Sequence, residues 1–190
     1  MKNLVKIVLI SLLSLVGVTS CSESDEHSEY ADWTLRNSQY IDSIANEAAQ
    51  NSTGEWKRFL ATGLNASLEW GNEYYVYCKV VNEGTGVEHP MFNDNVWLNY
   101  KGSLINGTIF DASYSGELDP EYEAPVETPL NECVIGFSTA VQEMVKGDVW
   151  EVYIPANLGY GSTDYGSIRA YSTLIFTINL VDFSHPVSNK

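Results

Sequence analysis

Basic residues are scarce in this chain. Ten Lys and Arg stand against 25 Asp and Glu in 190 residues, a formal net charge of −15. Nucleic-acid surfaces and electrostatic docking on anionic lipid both need clustered Lys and Arg, so the composition argues against either; no nucleic-acid partner is expected. The acidity serves solubility. Histidine is equally thin. His27, His89 and His185 lie among polar residues or beside proline, with no C-x-x-C or His-rich spacing, and no metal site is expected. No P-loop, no G-x-G-x-x-G and no G-x-S-x-G is present, which removes nucleotide cofactors and a serine-nucleophile elbow; no cofactor is expected. Cysteine is limited to Cys21, Cys78 and Cys133. The latter two sit among apolar residues, so two buried thiols are at least as well supported as a disulfide.

Long apolar runs are also missing. Val8 to Val18 is too short for a comfortable membrane span, and Lys2 and Lys6 precede it, which is the layout of a targeting leader. Loss of residues 1–20 takes both lysines and no acid, leaving a charge of about −17. Val18-Thr19-Ser20-Cys21 resembles a bacterial lipobox with Val18 in place of the usual Leu. The resemblance implies cleavage before Cys21, lipidation of Cys21 and a membrane anchor in the cell envelope, at the outer membrane, periplasmic or surface-facing. The alternative is an ordinary signal peptide with a chance cysteine. Ser22 to Glu29 (SESDEHSE) reads as a solvated tether. An acidic run behind a lipidated cysteine also resembles the surface-export signal of Bacteroidetes lipoproteins.

What is present starts with a helix over Asp32 to Gln50. Asp32 is its expected cap, and Trp33, Tyr40, Ile41, Ile44, Ala45 and Ala48 form one stripe expected to pack on the main domain. A short apolar piece, Trp56 to Leu60, follows. Tyr74 to Val81 is a strand by aromatic and β-branched content, closed by Asn82-Glu83-Gly84-Thr85-Gly86. Ser138 to Val145 reads as a short helix capped by Ser138 or Thr139 and stopped by Gly147. Asp148 to Ile154 and Thr173 to Phe183 alternate as strands, with Trp150, Val152 and Ile154 on one face of the first and Leu174, Phe176, Ile178 and Leu180 on one face of the second.

The chain's chemistry centres on Val96 to Ser113, VWLNYKGSLINGTIFDAS. Asn106-Gly107 fits a two-residue hairpin turn with positive φ at both positions. Such a turn sets Gly102 opposite Asp111 and makes Tyr100 and Asp111 diagonal neighbours, close enough for a phenol to reach a carboxylate. Phe110 then points to the other face unless a bulge intervenes.

The spacing of Tyr100, Gly102, Leu104, Asn106, Gly107, Phe110, Asp111 and Ser113 resembles the opening motif of FK506-binding-protein (FKBP) type peptidyl-prolyl cis-trans isomerases. Four further blocks are similar in the same order: Glu83-Gly84-Thr85-Gly86; Pro125 to Phe137; Pro155 to Gly161; and Ser172 to Phe176. With the strands that flank them, the resemblance covers roughly residues 74–183. The segment Cys133-Val134-Ile135 aligns with the family's Val-Ile pair either as Cys133-Val134 or, with a gap, as Val134-Ile135. Thr128 stands where the family has Phe, Phe137 where it has Trp, and Ile168-Arg169-Ala170 where it has prolines.

The resemblance implies an α+β fold, a twisted antiparallel sheet of about five strands curled around one short helix, with an N-terminal helical extension. The expected domains are a leader at 1–20, a tether at 21–31, a helical extension at 32–72 and the FKBP-type domain at 73–185. It also implies prolyl isomerisation of exported polypeptides. Tyr100, Asp111 and Tyr160 would be catalytic. Phe110, Val134, Ile135, Phe137, Ile168 and Phe176 would bind substrate, and macrolides of the FK506 type would be ligands. The other reading is an FKBP-like binding module that holds proline-containing segments through the same pocket or the acidic Tyr114–Pro125 loop.

Overall fold

A computed structural model describes residues 30–185. The leader, the Cys21 lipidation site and the acidic run 22–29 lie outside the described residues. Residues from Asp32 onward form one compact unit.

The elements are helix α1 (Trp33–Ala49), strands β1 (Trp56–Leu60), β2 (Tyr75–Asn82), β3 (Asn95–Ser103), β4 (Ile109–Ala112) and β5 (Val126–Pro129), helix α2 (Ile135–Val141), and strands β6 (Val149–Ile154) and β7 (Leu174–Ser184). The strands make one antiparallel sheet in the order β1-β2-β6-β7-β3-β4, and β5 pairs the first half of β3 beside β4. Seven strands form rather than five. The two additions are β1, expected only as a short apolar piece, and β5, which lies inside the Pro125–Phe137 block; neither shows a simple alternation of burial. Pairing makes them strands: β1 lies along β2 from Trp56↔Lys79 to Leu60↔Tyr75, and β5 along β3 from Asn95↔Pro129 to Leu98↔Val126.

Alternation divides the sheet into two buried faces. Val76, Cys78, Trp150, Val152, Ile154, Leu174, Ile178 and Leu180 are buried on the face crossed by α2. Gly136 sits where a Cβ would come 2.3 Å from Ile154 Cγ2, so the helix backbone approaches the sheet as closely as glycine allows. On the opposite face Ile41 and Ile44 of α1 pack with Tyr77 and Tyr153, which buries the predicted stripe.

Both expected helix caps are absent. Asp32 adopts a left-handed backbone at φ 53 and makes no side-chain cap; its carbonyl takes the Arg36 N–H instead. The second helix starts at Ile135, three residues earlier than predicted, and ends at Val141. Ser138 and Thr139 lie inside it, buried. Their hydroxyls are used elsewhere: Ser138 Oγ donates to Leu130 O at 2.8 Å, and Thr139 Oγ1 accepts the Thr62 N–H at 3.0 Å. Gly147, at φ 94, belongs to the turn before β6. Cys78 and Cys133 are free thiols, the first buried and the second half-buried.

The acidic loop after β4 folds onto the face away from α2. Tyr114 is buried with the Lys101 ammonium 4.4 Å from its ring centroid, and Lys101 also donates to Gly116 O. Leu118 and Pro120 line a groove with Val149, Thr177 and Asn179.

Candidate functional site

The site is built on the β3–β4 hairpin. Its turn differs from the two-residue form. The Leu104 carbonyl accepts Gly107 N–H, its N–H donates to Thr108 O, and only Gly107 has positive φ, at 83°. Ile105, Asn106 and Gly107 therefore form a three-residue loop with glycine at the left-handed position. That loop shifts the pairing by one residue, and a bulge at Phe110 shifts it back, so Gly102 still faces Asp111. The bulge also turns Phe110 towards Phe176, with ring centroids 5.4 Å apart. Gly102 is required beneath this pair, because a Cβ there would lie 2.5 Å from the Phe110 ring and 2.7 Å from that of Phe176.

The Tyr100 hydroxyl donates to Asp111 Oδ2 at 2.7 Å. Ser113 secures the strand behind it: its hydroxyl accepts the Tyr100 N–H, and its N–H donates to the Tyr100 carbonyl, both at 2.9 Å. Burial, and then the bond to Asp111, raises the pKa of Tyr100 well above that of a free phenol, so it remains a neutral donor.

Three elements bring aromatic rings to this pair. Phe137 on the first turn of α2 and Phe176 on β7 meet edge-to-face at 5.1 Å, and Tyr100 lies 6.4 Å from Phe137 and 6.3 Å from Phe176. These rings line a cleft of about 420 Å³ together with Leu98, Asp111, Thr128, Cys133, Val134 and Tyr160. Of the two alignments of 133–135, the cleft takes Cys133 and Val134. Ile135, expected to bind substrate, is the first residue of α2 and is not among the lining residues. Helical rotation at the α2 start separates it from Val134. Phe110 and Ile168 line an adjoining cavity of about 260 Å³ that shares Asp111, Tyr160 and Phe176 with the cleft.

Two lining residues have no counterpart in the sequence reading. Glu132 stands at the rim. Tyr165 stacks on Tyr160, with centroids 4.3 Å apart and planes within 8°, and borders both cavities. A tyrosine set in a Gly- and Ser-rich loop a few residues after Tyr160 is the sequence signal that marks it. Tyr160 itself stays a phenol: burial, followed by the nearby Tyr165 and Asp111, raises its pKa. The Cys133 thiol is pushed up to about 11 by burial and by Glu132, which keeps it protonated at neutral pH.

The arrangement offers an aromatic enclosure, phenol donors and one paired carboxylate, with no nucleophile held against a base. It suits binding a compact apolar ring and polarising an adjacent amide rather than covalent chemistry.

Known proteins agree with this geometry. The family profile for FKBP-type peptidyl-prolyl cis-trans isomerases matches residues 86–181. The peptidyl-prolyl cis-trans isomerase Mip of Coxiella burnetii is 39% identical over 104 residues, covering 54% of this chain and 42% of that protein. The outer membrane protein MIP of Legionella longbeachae is 36% identical over 141 residues, 72% of this chain and 56% of that protein. The chain thus spans about half the length of these two relatives. The crystal structure of FkpA from Escherichia coli superposes with a TM-score of 0.60 at 25% identity, covering 85% of this chain and 64% of that one. The profile spans half of the chain and takes in both the β3–β4 hairpin and the α2 start, and on that ground the chain belongs to the FKBP-type peptidyl-prolyl cis-trans isomerase family.

Proposed function

We propose that this protein is a prolyl isomerase of the cell envelope that acts on X-Pro bonds of exported polypeptides. The observation that carries the reading is the Tyr100–Asp111 hydrogen bond at the wall of a cleft enclosed by Phe137 and Phe176. Rotation about an X-Pro amide meets a barrier of about 18–20 kcal/mol because the bond is conjugated. At the twisted geometry conjugation is lost and the amide is less polar, so a water-poor aromatic surround favours it over either planar form. The proline ring rests on Phe137, between Tyr100, Phe110 and Phe176. Tyr160 and the Val134 N–H hold flanking carbonyls, and Asp111 presents its field to the twisted amide. No proton is transferred and no covalent intermediate forms.

The proposed address is supported by the lipobox-like Val18-Thr19-Ser20-Cys21, through which Cys21 would carry a lipid, and by relatives named as outer membrane protein and as FkpA. FK506-type macrolides would occupy the same cleft. The reading is tested by an isomerisation assay of the chain lacking residues 1–21 on a range of X-Pro peptides; catalysis above the uncatalysed rate is expected. A second reading, binding without turnover, is favoured by Phe137 and Thr128, which offer less aromatic surface than the Trp and Phe of the motif. A folded protein that binds such peptides without accelerating them selects it.

A further inference from the structure

The loop from Gly161 to Ser172 closes one side of the cleft. Tyr165 stacks on Tyr160, and Ile168, 4% exposed, faces Phe110 and Phe176. These two loop residues exchange both backbone bonds, Tyr165 N–H to Ile168 O at 2.8 Å and Ile168 N–H to Tyr165 O at 2.9 Å, so they move as one tip.

The base of this loop is tied to α1, far away in sequence. Ser172 Oγ donates to Arg169 O at 2.6 Å, one residue past Ile168, and accepts the indole N–H of Trp33 at 3.0 Å. Thr173 N–H donates to Asn37 Oδ1 at 2.7 Å, and Asn37 Nδ2 donates to the Trp33 carbonyl at 2.8 Å. Trp33, Asn37, Ser172 and Thr173 are all buried. Just before Ser172, Tyr171, not a glycine, is held at φ 61 with its N–H on Gly161 O at 2.7 Å, a conformation that persists only where surrounding contacts over-determine it.

Apolar packing already anchors the other half of α1, through Ile41 and Ile44 on Tyr77 and Tyr153. A buried carboxamide and an indole N–H add little to that packing, and each would be costly without a partner. What they add is direction, and both point at the loop base.

We propose that Trp33 and Asn37 are positioning residues for the cleft. Acting through Ser172 and Thr173, they hold the loop so that Tyr165 and Ile168 stand preformed on the substrate side. The inference rests on the isomerase reading of that cleft. A preformed loop spares the substrate the entropy cost of ordering it. The loop meets planar and twisted amide alike, so its loosening removes uniform binding and is felt in KM rather than kcat.

The test uses Trp33→Phe and Asn37→Ala in the full chain, with Ile44→Ala as the control that weakens α1 packing away from the loop. For the two positioning variants, KM for an X-Pro peptide rises roughly 5–20-fold, the ordering cost of two side chains, with kcat nearly unchanged. Hydrogen exchange at the Tyr165 and Ile168 amides, measured without ligand, speeds up about ten-fold while β6 and β7 amides hold. Ile44→Ala lowers the melting temperature and moves neither KM nor loop exchange. Folded positioning variants with unchanged KM and unchanged loop exchange overturn the proposal, as does an equal effect from Ile44→Ala. A wild type that turns over no X-Pro peptide defeats the isomerase reading instead, and loop exchange then decides the positioning role alone.

Discussion

In the proposed mechanism Asp111 is the residue on which the chemistry turns. Asp111→Leu keeps approximate volume and removes the acceptor 2.7 Å from Tyr100 Oη. With the pair open to water at one edge, a loss of about 1–2 kcal/mol in kcat/KM is expected, with the fold retained. Unchanged turnover by a folded variant would take Asp111 out of the mechanism. Cys133 gives a pH-dependent reading. Its pKa rises from 9.0 to about 11, so at pH 8 its thiolate fraction is about a hundredth of a free cysteine's, and alkylation by iodoacetamide should be slowed accordingly. The sign for stability follows. Below pH 9 both folded and unfolded chains hold the proton; between 9 and 11 only the folded chain does. Stability is therefore intact below pH 9 and declines as pH rises through that window, and Cys133→Ser should flatten the decline. Alkylation of folded protein at the rate of a model thiol would contradict the burial.

Among the elements, α2 and the hairpin decide whether the cleft exists. The head of α2 carries Phe137, and Ser138 ties that head to the preceding turn through Leu130 O at 2.8 Å. Ser138→Ala leaves this contact unmade in a buried place, so about 1 kcal/mol of stability should be lost in denaturant titration. If Ser138 acted as the surface cap its residue type suggests, the loss would come with unchanged chemistry in the cleft; here KM should rise as well, because Val134 and Phe137 shift together. The hairpin shows why a register read from sequence can be right for the wrong reason. A three-residue loop and a bulge at Phe110 cancel, restoring Gly102 opposite Asp111.

At the scale of the whole molecule, α1 and the sheet form one compact unit. The cleft lies on the α2 side, and the acidic loop lies over Thr177 and Asn179, on the side away from Phe176. Partner binding by that loop would thus be separate from binding in the cleft. Address is also a whole-molecule property. Cys21→Ala is expected to release the protein from the membrane fraction, with mass spectrometry of the wild type showing acylated Cys21. A wild type without lipid would leave an ordinary leader as the reading.

The sequence by itself determined the hairpin, the pairing of Tyr100 with Asp111, the two faces of β6 and β7, and the family, because these depend on residue type and short spacing. Period-two alternation and turn chemistry are local, and a motif of eight residues carries its own geometry. The tertiary structure decided the rest. β1 and β5 are strands only because β2 and β3 offer them edges. Ser138 sits inside α2 because a carbonyl eight residues earlier takes its hydroxyl. Tyr165 enters the site by stacking on Tyr160, and Asn37 is buried where Thr173, 136 residues away and just before β7, presents an amide to it. In each case the partner that satisfies the group is set by the folded chain and not by the period of the local pattern, so residue type suggested one role and the folded neighbour selected another.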